Sequence, residues 1–354
     1  MGRPYAREIR ELNGTAKWAL GIDVGEIVEF VGASHGCPLL AVGSGGSVAA
    51  AHLAALLHRR LAYGPSRHAT PMELRLDEPS LSEYAVLLLS ASGRNRDVLT
   101  AALSAVEAGV RALASISTRE CTPLATAVAK YHRGFTFSEI VPSGKDGFLA
   151  TNSLVATSIL LARGYGIDLR AIETERAVST TGEIGLRPTA VVLHAGWSSP
   201  VATDLESRLH ESTLMNVQSS DYRNFGHGRH LWLDRRGAET IVVALLTPET
   251  KSLAERTLRY FPESVPIVRI ETSADGPAGT IGLLCSAMRW TGEVAERQAI
   301  DPGRPHVPSF GKKLFHLGPL KAQKTRIPGP VQRKLSRMNV TDLALADTCE
   351  MALE

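Results

Sequence analysis

The stretch PLLAVGSGGSVAAAHLAALLHRR, residues 38–60, decides the fold of this chain. A short apolar run ends in a turn of glycine and serine, and an alanine- and leucine-rich stretch of helical character follows directly. A strand that is apolar at successive positions is buried on both faces, as in parallel sheets that helices cover on both sides. The stretch therefore predicts one strand–turn–helix unit of an α/β protein.

The same pattern recurs along both halves of the chain. The apolar runs that predict strands lie at 38–44, 83–92, 111–118 and 134–140 in the first half, and at 189–196, 238–247 and 265–272 in the second. A long helix predicted at 147–164 closes the first half. Because hydrophobic cores stop growing near ~250–300 residues, we expect this chain of 354 residues to form two α/β domains, each a parallel sheet flanked by helices.

The segments around these two series complete the predicted organisation. The predicted boundaries are 1–35 for N-terminal helices that act as a cover, 36–170 for the first domain, 171–187 for a charged linker, 188–300 for the second domain and 301–354 for a C-terminal tail. The tail is broken by prolines and has little core of its own. Its basic residues favour a solvated or subunit-covering face, with docking of RNA or of a partner as the alternative: Lys321, Lys324, Arg326, Arg333, Lys334 and Arg337.

Composition excludes several classes of protein. The formal net charge is +3, and the basic residues are spread out apart from the tail, so a nucleic-acid partner is not expected. The four cysteines lie far apart without CxxC spacing, which argues against zinc ribbons and for reduced thiols in the cytosol. The N-terminus is polar and no apolar run is long enough to span a bilayer. We therefore expect a soluble, cytoplasmic protein without membrane contact.

The first strand opens into a turn that can hold a phosphate. Ser44, Gly45, Gly46 and Ser47 precede a helix predicted to begin at Val48, so backbone N–H groups and a hydroxyl face outward at the positive end of that helix. The turn lacks the GK[ST] of a Walker loop and the GxGxxG fingerprint, which disfavours a nucleotide. The alternative is a tight turn in which glycine only permits the path of the backbone.

A second turn of similar chemistry follows the second apolar run. Ser90, Ser92, Gly93 and Asn95 precede another predicted helix, where two hydroxyls and an amide supply donors to an anion. A single serine-rich turn is usually a helix N-cap. Two such turns spaced one strand–helix unit apart favour a ligand that both of them hold.

These turns resemble the paired phosphosugar loops of the SIS (sugar isomerase) superfamily. GSGGSVAAAH is similar to the GNGGS turn of sedoheptulose-7-phosphate isomerases. LLLSASGRNRDVLTAA resembles the SQSGET segment in the isomerase half of glucosamine-6-phosphate synthase, with Ala91 in place of its Gln and Asn95 in place of its Thr. The resemblance covers roughly residues 36–315 and implies two flavodoxin-like SIS domains in one chain.

The second half also resembles this family, in the segment that carries its catalytic groups. GWSSPVATDLESRLHES is similar to the helix that leads to a catalytic glutamate, which the resemblance places at Glu211. His227 in NFGHGR stands at the spacing of the family's histidine, and Arg229 replaces a proline there. Aldose–ketose chemistry needs a base to move a proton between C1 and C2 and an acid–base group to open the sugar ring. We expect burial at the sheet edge to make the carboxylate of Glu211 a stronger base, as this proton transfer from carbon requires.

Further site residues follow from the same resemblance. Arg208 occupies the position of a lysine that helps to close the family's site, and Lys312, or its neighbour Lys313, matches a second lysine in the C-terminal segment. Three residues near the start of the long helix are candidate sugar contacts: Lys145, Thr151 and Asn152. For Thr151 and Asn152 the alternative is that they cap the helix and are solvated. No metal and no cofactor is expected, because His227 and His230 have no partner at ligand spacing.

Two hypotheses on function remain open at this point. The first is a phosphosugar aldose–ketose isomerase, or a related aminosugar-phosphate deaminase or deglycase, working through an enediol or enediolamine. For this enzyme the resemblance implies a homodimer with composite active sites. The second is a non-catalytic phosphosugar sensor or scaffold, which the replacements at Ala91, Arg208 and Arg229 favour. Glutamine-dependent amination is not expected, because the chain does not begin with the cysteine nucleophile of a glutaminase half.

Overall fold

Two five-stranded sheets organise the chain, which the computed structural model describes at residues 2–76, 78–169, 172, 178–181 and 187–317. The strands of the first sheet are β1 (Leu39–Gly43), β2 (Ser66–Ala69), β3 (Ala85–Leu89), β4 (Ala112–Ser117) and β5 (Gly134–Ser138). Their order is β2-β1-β3-β4-β5, and all of them run parallel. The parallel first sheet predicted from the sequence is therefore confirmed.

The second sheet repeats the arrangement with one addition at its edge. Its strands are β6 (Val178–Thr181), β7 (Thr189–His194), β8 (Asn216–Asp221), β9 (Thr240–Leu246) and β10 (Ile267–Glu271). The order is β6-β10-β9-β7-β8, in which β7 to β10 are parallel and β6 is antiparallel to β10. This sheet is therefore mixed, and β6 comes from the segment that the sequence marked as a linker.

The strands that the sequence did not predict all lie at sheet edges. β2, β6 and β8 each pair on one side only. Their sequences, SRHA, VSTT and NVQSSD, are polar because an edge strand is partly open to water. Without a continuous apolar run, such strands carry no pattern that predicts a buried strand.

Helices cover both sheets and link them. The first half contains α1 (Tyr5–Gly21), α2 (Gly25–Ala33), α3 (Ser47–Arg60), α4 (Pro71–Leu76), α5 (Arg96–Ala108), α6 (Pro123–Ala129) and α7 (Asn152–Gly164). The second half contains α8 (Ser199–Glu211), α9 (Tyr222–Asn224), α10 (Leu231–Arg236), α11 (Lys251–Leu258), α12 (Gly276–Arg297) and α13 (Ser309–Phe315). None of the helices among the described residues combines the length and apolarity needed to cross a bilayer.

One apolar core joins the two halves. It contains residues from the inner face of each sheet, such as Ala41 of β1 and Val192 of β7, together with Leu154 of α7 and Trp290 of α12. Between the sheets, α3 packs against α7 and α8, and α12 packs against α7 and α8. The α1 helix lies across this layer, against both α7 and α12. Residues 1–35, which the sequence predicted as helices that act as a cover, contain α1 and α2, and α1 touches both halves.

The long helix of the first half begins later than the sequence predicted. It starts at Asn152 rather than near Gly147, because the carboxylate of Asp146 accepts the N–H groups of Thr151, Asn152 and Ser153 at 2.9, 3.2 and 3.0 Å. These capping oxygens satisfy backbone N–H groups that have no partner within the helix, so the helix can begin at this point. Residues 147–151 are left as an irregular segment that leads past the end of the first sheet.

Candidate active site

The two predicted phosphate turns lie side by side at one edge of the first sheet. β1 and β3 are neighbours, with Gly43 paired to Leu89 at their carboxyl ends. Because parallel strands end at the same edge, the turns that follow them open toward the same space. A pocket lies there, and Ser47 from the first turn and Ser90 from the second both line it. The structure thus brings together two serines that the sequence selected.

Both serines present a hydroxyl that can donate to a ligand. Ser47 Oγ makes no hydrogen bond within the described part of the chain, and the N-terminus of α3, where it stands, has no side-chain cap. Ser90 Oγ accepts the N–H of Gly93 at 3.1 Å, which leaves its own O–H to donate. An anion in the pocket would therefore meet two hydroxyls and the positive end of a 14-residue helix.

The glycine turn approaches the segment before α7 very closely. Ser44 O accepts the N–H of Ser47 at 3.2 Å, and Gly45 has a φ of +54°, a conformation that favours glycine. A Cβ added to Gly46 would lie 2.5 Å from the Cβ of Ala150. The turn and Ala150 are therefore in direct contact, and both line the pocket.

The other residues of the second turn support its backbone. Ser92 is exposed and its Oγ accepts a backbone N–H from within the turn at 3.2 Å. Asn95 caps α5, since its Oδ1 accepts two N–H groups of the first helical turn at 2.9 and 3.1 Å. Gly93 has a φ of +61°, and an added Cβ would lie 2.4 Å from Thr122. The lining of the pocket includes Ser90 and Ala91 from this turn, but not these three residues.

Helix α7 contributes pocket residues that the sequence analysis missed. Ser153 and Thr157 line the pocket opposite the two turns. Ser153 Oγ donates to Asp146 at 2.5 Å, whereas the hydroxyl of Thr157 makes no hydrogen bond within the described residues. The two residues are four apart and so share one face of the helix. That spacing of hydroxyls was the signal in the sequence that could have identified them.

Thr151 and Asn152, predicted as sugar contacts, are held by the N-terminal helix instead of lining the pocket. Both are fully buried. Thr151 Oγ1 donates to Glu8 at 2.5 Å, and Asn152 Nδ2 donates to the backbone oxygen of Glu8 at 3.1 Å. Asn152 Oδ1 also accepts the hydroxyl of Thr15 at 2.6 Å. Lys145, the third candidate, is exposed and lies just before the irregular segment.

Arg208 lies in a buried ion pair rather than in open contact with the pocket. Its guanidinium donates to both carboxylate oxygens of Asp204 at 2.8 Å, and these side chains are 2% and 3% exposed. It also donates to the hydroxyl of Tyr5 at 3.1 Å and to the backbone oxygen of Ala150 at 2.6 Å. Burial opposes the charge, but Asp204 and Tyr5 outweigh it and hold the pKa of Arg208 above its ordinary value.

The three remaining catalytic candidates are exposed in the single chain. Glu211 is the last residue of α8, and its carboxylate accepts the hydroxyl of Ser207. His227 stands in the irregular turn Phe225–Arg229, where the backbone leaves helical geometry. Lys312 lies on α13, which buries none of its residues. The burial expected for Glu211 is absent from the single chain, and none of the three lines the pocket.

A group of histidines lies where the two halves meet, away from these candidates. The rings of His52 and His68 stack with centroids 4.2 Å apart, and His52 Nδ1 is 2.9 Å from the hydroxyl of Thr203. Burial lowers the pKa of His52 to about 3. Within the described residues no group of three or more His, Cys, Asp or Glu side chains is placed to hold a metal ion.

Known structures match the chain over most of its length, although no protein-family model and no curated protein matches its sequence. The C-terminal domain of glucosamine-fructose-6-phosphate aminotransferase from Francisella tularensis is 14% identical, with a TM-score of 0.66 over 85% of this chain and 98% of that one. Glucosamine-6-phosphate deaminase from Thermotoga maritima is 16% identical, with a TM-score of 0.65 over 86% and 98%. Tagatose-6-phosphate ketose/aldose isomerase from Escherichia coli is 16% identical, with a TM-score of 0.59 over 86% and 93%.

At these identities the likeness establishes the fold alone. All three structures are covered almost completely by this chain, so both halves of it take part in the match. The expectation of two flavodoxin-like α/β domains is thereby confirmed, with β6 as an added antiparallel strand on the second sheet.

Proposed function

We propose that this protein binds a sugar phosphate and interconverts its aldose and ketose forms, or performs the related deamination of an aminosugar phosphate. The observation that carries the proposal is the meeting of two serine turns at one pocket, where the hydroxyl of Ser47 has no partner among the described residues and the N-terminus of α3 has no side-chain cap from them. The solved structures that match the chain are those of enzymes named for sugar phosphates, which agrees with this choice of ligand.

The phosphate group is proposed to lie between the two turns. Ser47 and Ser90 donate hydroxyl hydrogen bonds, and the backbone of Ser44, Gly45 and Gly46 lines the path to the helix end. Ser92, Gly93 and Asn95 keep the second turn in shape and present further donors at its rim. Lys145 is proposed to contact the sugar from its exposed position before segment 147–151. Thr151 and Asn152 are proposed to affect the sugar only indirectly, by fixing the start of α7.

The chemical step is proposed to be a proton transfer by Glu211. Its carboxylate removes the proton on C2 of the open-chain aldose, and the C1 oxygen gains a proton, which gives an enediol. The proton then passes from Glu211 to C1 while the hydroxyl on C2 loses its proton and becomes the ketone. His227 opens the ring beforehand, and Lys312 contributes positive charge and closure around the substrate. Arg208 supports the site only from behind, through its hydrogen bond to the backbone oxygen of Ala150.

A homodimer is part of this proposal. Glu211, His227 and Lys312 are open to solvent in the single chain, whereas a proton transfer from carbon works best where water is excluded. A second copy that covers this face would complete the site, as the resemblance to SIS proteins implies. We propose a cytoplasmic enzyme of this kind that needs neither a metal nor a cofactor and has no membrane or nucleic-acid partner.

The test is the exchange of the C2 proton with solvent. Hexose, hexosamine and heptose phosphates are incubated with the protein in D₂O and followed by ¹H NMR. An enzyme incorporates deuterium at C2, and Glu211→Gln abolishes this exchange while ³¹P line broadening still reports binding. Glu206→Gln, an exposed carboxylate on the same helix, is the matched control and keeps the exchange. Unchanged exchange in Glu211→Gln would overturn the assignment of the base.

A phosphosugar sensor or scaffold is the second candidate. Ala91 stands in the pocket where the resembling loop has a glutamine, and the guanidinium of Arg208 makes four hydrogen bonds, to Asp204, Tyr5 and Ala150. Both features remove groups that could act on substrate. In the same experiment a sensor broadens the ³¹P signal of one sugar phosphate but leaves deuterium out of C2 for the whole panel.

A further inference from the structure

The irregular segment 147–151 forms one wall of the phosphate pocket. Ala150 lines the pocket and touches Gly46, the glycine turn's last residue before α3. An added Cβ on Gly46 would lie only 2.5 Å from the Cβ of Ala150. The position of the segment therefore decides how wide the pocket is on this side.

Contacts from outside the first domain hold this segment in place. The backbone oxygen of Ala150 accepts a hydrogen bond from Arg208 of α8 at 2.6 Å. The N–H of Phe148 donates to the backbone oxygen of Gly303 at 3.1 Å. Neither partner belongs to the sheet that carries the serine turns, so the wall is fixed by the second half of the chain.

The N-terminal helix holds the same segment from the opposite side. The buried carboxylate of Glu8 accepts the N–H of Gly147 and, at 2.5 Å, the hydroxyl of Thr151. A Cβ on Gly147 would lie 2.8 Å from Glu8 Oε1, so the segment passes against α1 without a gap. One turn earlier on α1, Tyr5 accepts a hydrogen bond from Arg208 at 3.1 Å and donates to the backbone oxygen of Met288 at 2.9 Å.

We propose that Arg208 and Glu8 are positioning residues, which press segment 147–151 against the glycine turn and thereby set the affinity of the pocket for phosphate. This inference rests on the proposed phosphate site. A hydrogen bond weakens steeply when donor and acceptor leave their preferred distance and angle. A small movement of Ala150 away from the glycine turn therefore weakens the hydrogen bonds of Gly46 and Ser47 to an anion. Arg208 acts through Ala150 and does not touch the ligand.

The experiment compares matched tyrosine variants by the dissociation constant for inorganic phosphate, measured by calorimetry. Tyr5→Phe removes the hydroxyl that holds Arg208, and Tyr222→Phe removes an equally buried hydroxyl that donates to Leu245 O at 3.0 Å, in the second half. Each variant loses one hydrogen bond to a backbone oxygen, of Met288 or of Leu245, and Tyr5→Phe also loses the hydrogen bond from Arg208. We expect Tyr5→Phe to weaken phosphate binding about threefold, and Tyr222→Phe to leave it unchanged.

Arg208→Lys gives the larger effect. Lysine keeps the positive charge beside Asp204, so the buried carboxylate stays paired, but it lacks the fork that reaches both Tyr5 and Ala150. We expect the dissociation constant for phosphate to rise about tenfold. Where a sugar phosphate is turned over, KM rises and kcat stays within about twofold, because the base on α8 is untouched.

Each outcome decides between the two proposals. If the unaltered protein binds inorganic phosphate and both Tyr5→Phe and Arg208→Lys keep its affinity, the positioning role is wrong and the phosphate site stands. If the unaltered protein does not bind phosphate at all, both are wrong. If Arg208→Lys fails to fold, Tyr5→Phe against Tyr222→Phe still decides the positioning role.

Discussion

Ser47 and Ser90 are the two single residues on which the proposed phosphate site depends. Each was selected from a strand that ends in glycine and serine, and each lies at the pocket between the turns. A serine in such a turn commonly caps its helix. The hydroxyl of Ser47 caps nothing within the described residues, which leaves it for a ligand.

Glu8 is the residue whose environment most changes its chemistry. Burial raises its pKa from 4.5 to about 7. The hydrogen bonds from Thr151 and Gly147 favour the carboxylate but only partly offset the burial. Because the folded state holds this proton more tightly than the unfolded chain, the stabilisation is complete below pH 4.5 and is lost as pH rises through about 7.

Glu8→Gln should remove this pH dependence. Between pH 5 and pH 8 we expect the free energy of unfolding of the unaltered protein to fall by about 2 kcal/mol more than that of the variant. Urea unfolding at several pH values measures both. Parallel curves for the two proteins would show that Glu8 does not titrate in this range.

The sequence predicted the serines but not Glu8, Tyr5 or Thr157. The turn residues follow directly from a strand, so local order along the chain places them. Glu8 and Tyr5 act on groups more than a hundred residues away, such as Thr151 and Met288. No spacing of residues within the N-terminal helix predicts contacts with partners so distant in the sequence.

At the scale of elements, the first turn of α7 depends on one carboxylate. Asp146 accepts three backbone N–H groups and the hydroxyl of Ser153. It therefore ends segment 147–151 and starts the helix that lines the pocket. The sequence placed this helix correctly but began it too early, because a cap from five residues upstream has no standard spacing.

Asp146→Ala should destabilise the protein by about 1–2 kcal/mol, the usual loss on removing a capping side chain. Asp275→Ala is the control, since Asp275 precedes α12 but its side chain makes no capping hydrogen bond. The midpoints of urea unfolding report both changes. Equal losses in the two variants would contradict the capping role of Asp146.

Edge and centre strands differ in how far the sequence reveals them. Every central strand of both sheets coincides with an apolar run that the sequence predicted, for example β3 and β9. The strands β2, β6 and β8 did not, because half of their surface faces water or loops. Burial on both faces produces the continuous apolar run that predicts a strand, and β2, β6 and β8 lack such a run. The edge strand β5 was nevertheless predicted, because its sequence GFTFS keeps two phenylalanines.

At the scale of the whole molecule, the two sheets form one working unit. Helices α3, α7, α8 and α12 share a core between them, and α1 bonds to both halves. The sequence indicated two domains of like architecture, but the junction between them rests on long-range packing that periodicity does not encode. Glu211, His227 and Lys312 are exposed in the single chain, which is why the proposed reaction is placed in the proposed homodimer.

A crystal structure with a bound sugar phosphate tests the central claim most directly. The account predicts phosphate oxygens about 3 Å from Ser47 Oγ and Ser90 Oγ, at the N-terminus of α3, with the sugar directed toward the opening of the pocket. Loss of that density in the Ser47→Ala, Ser90→Ala double variant would support it. Phosphate density elsewhere on the molecule, with the two serine turns empty, would contradict it.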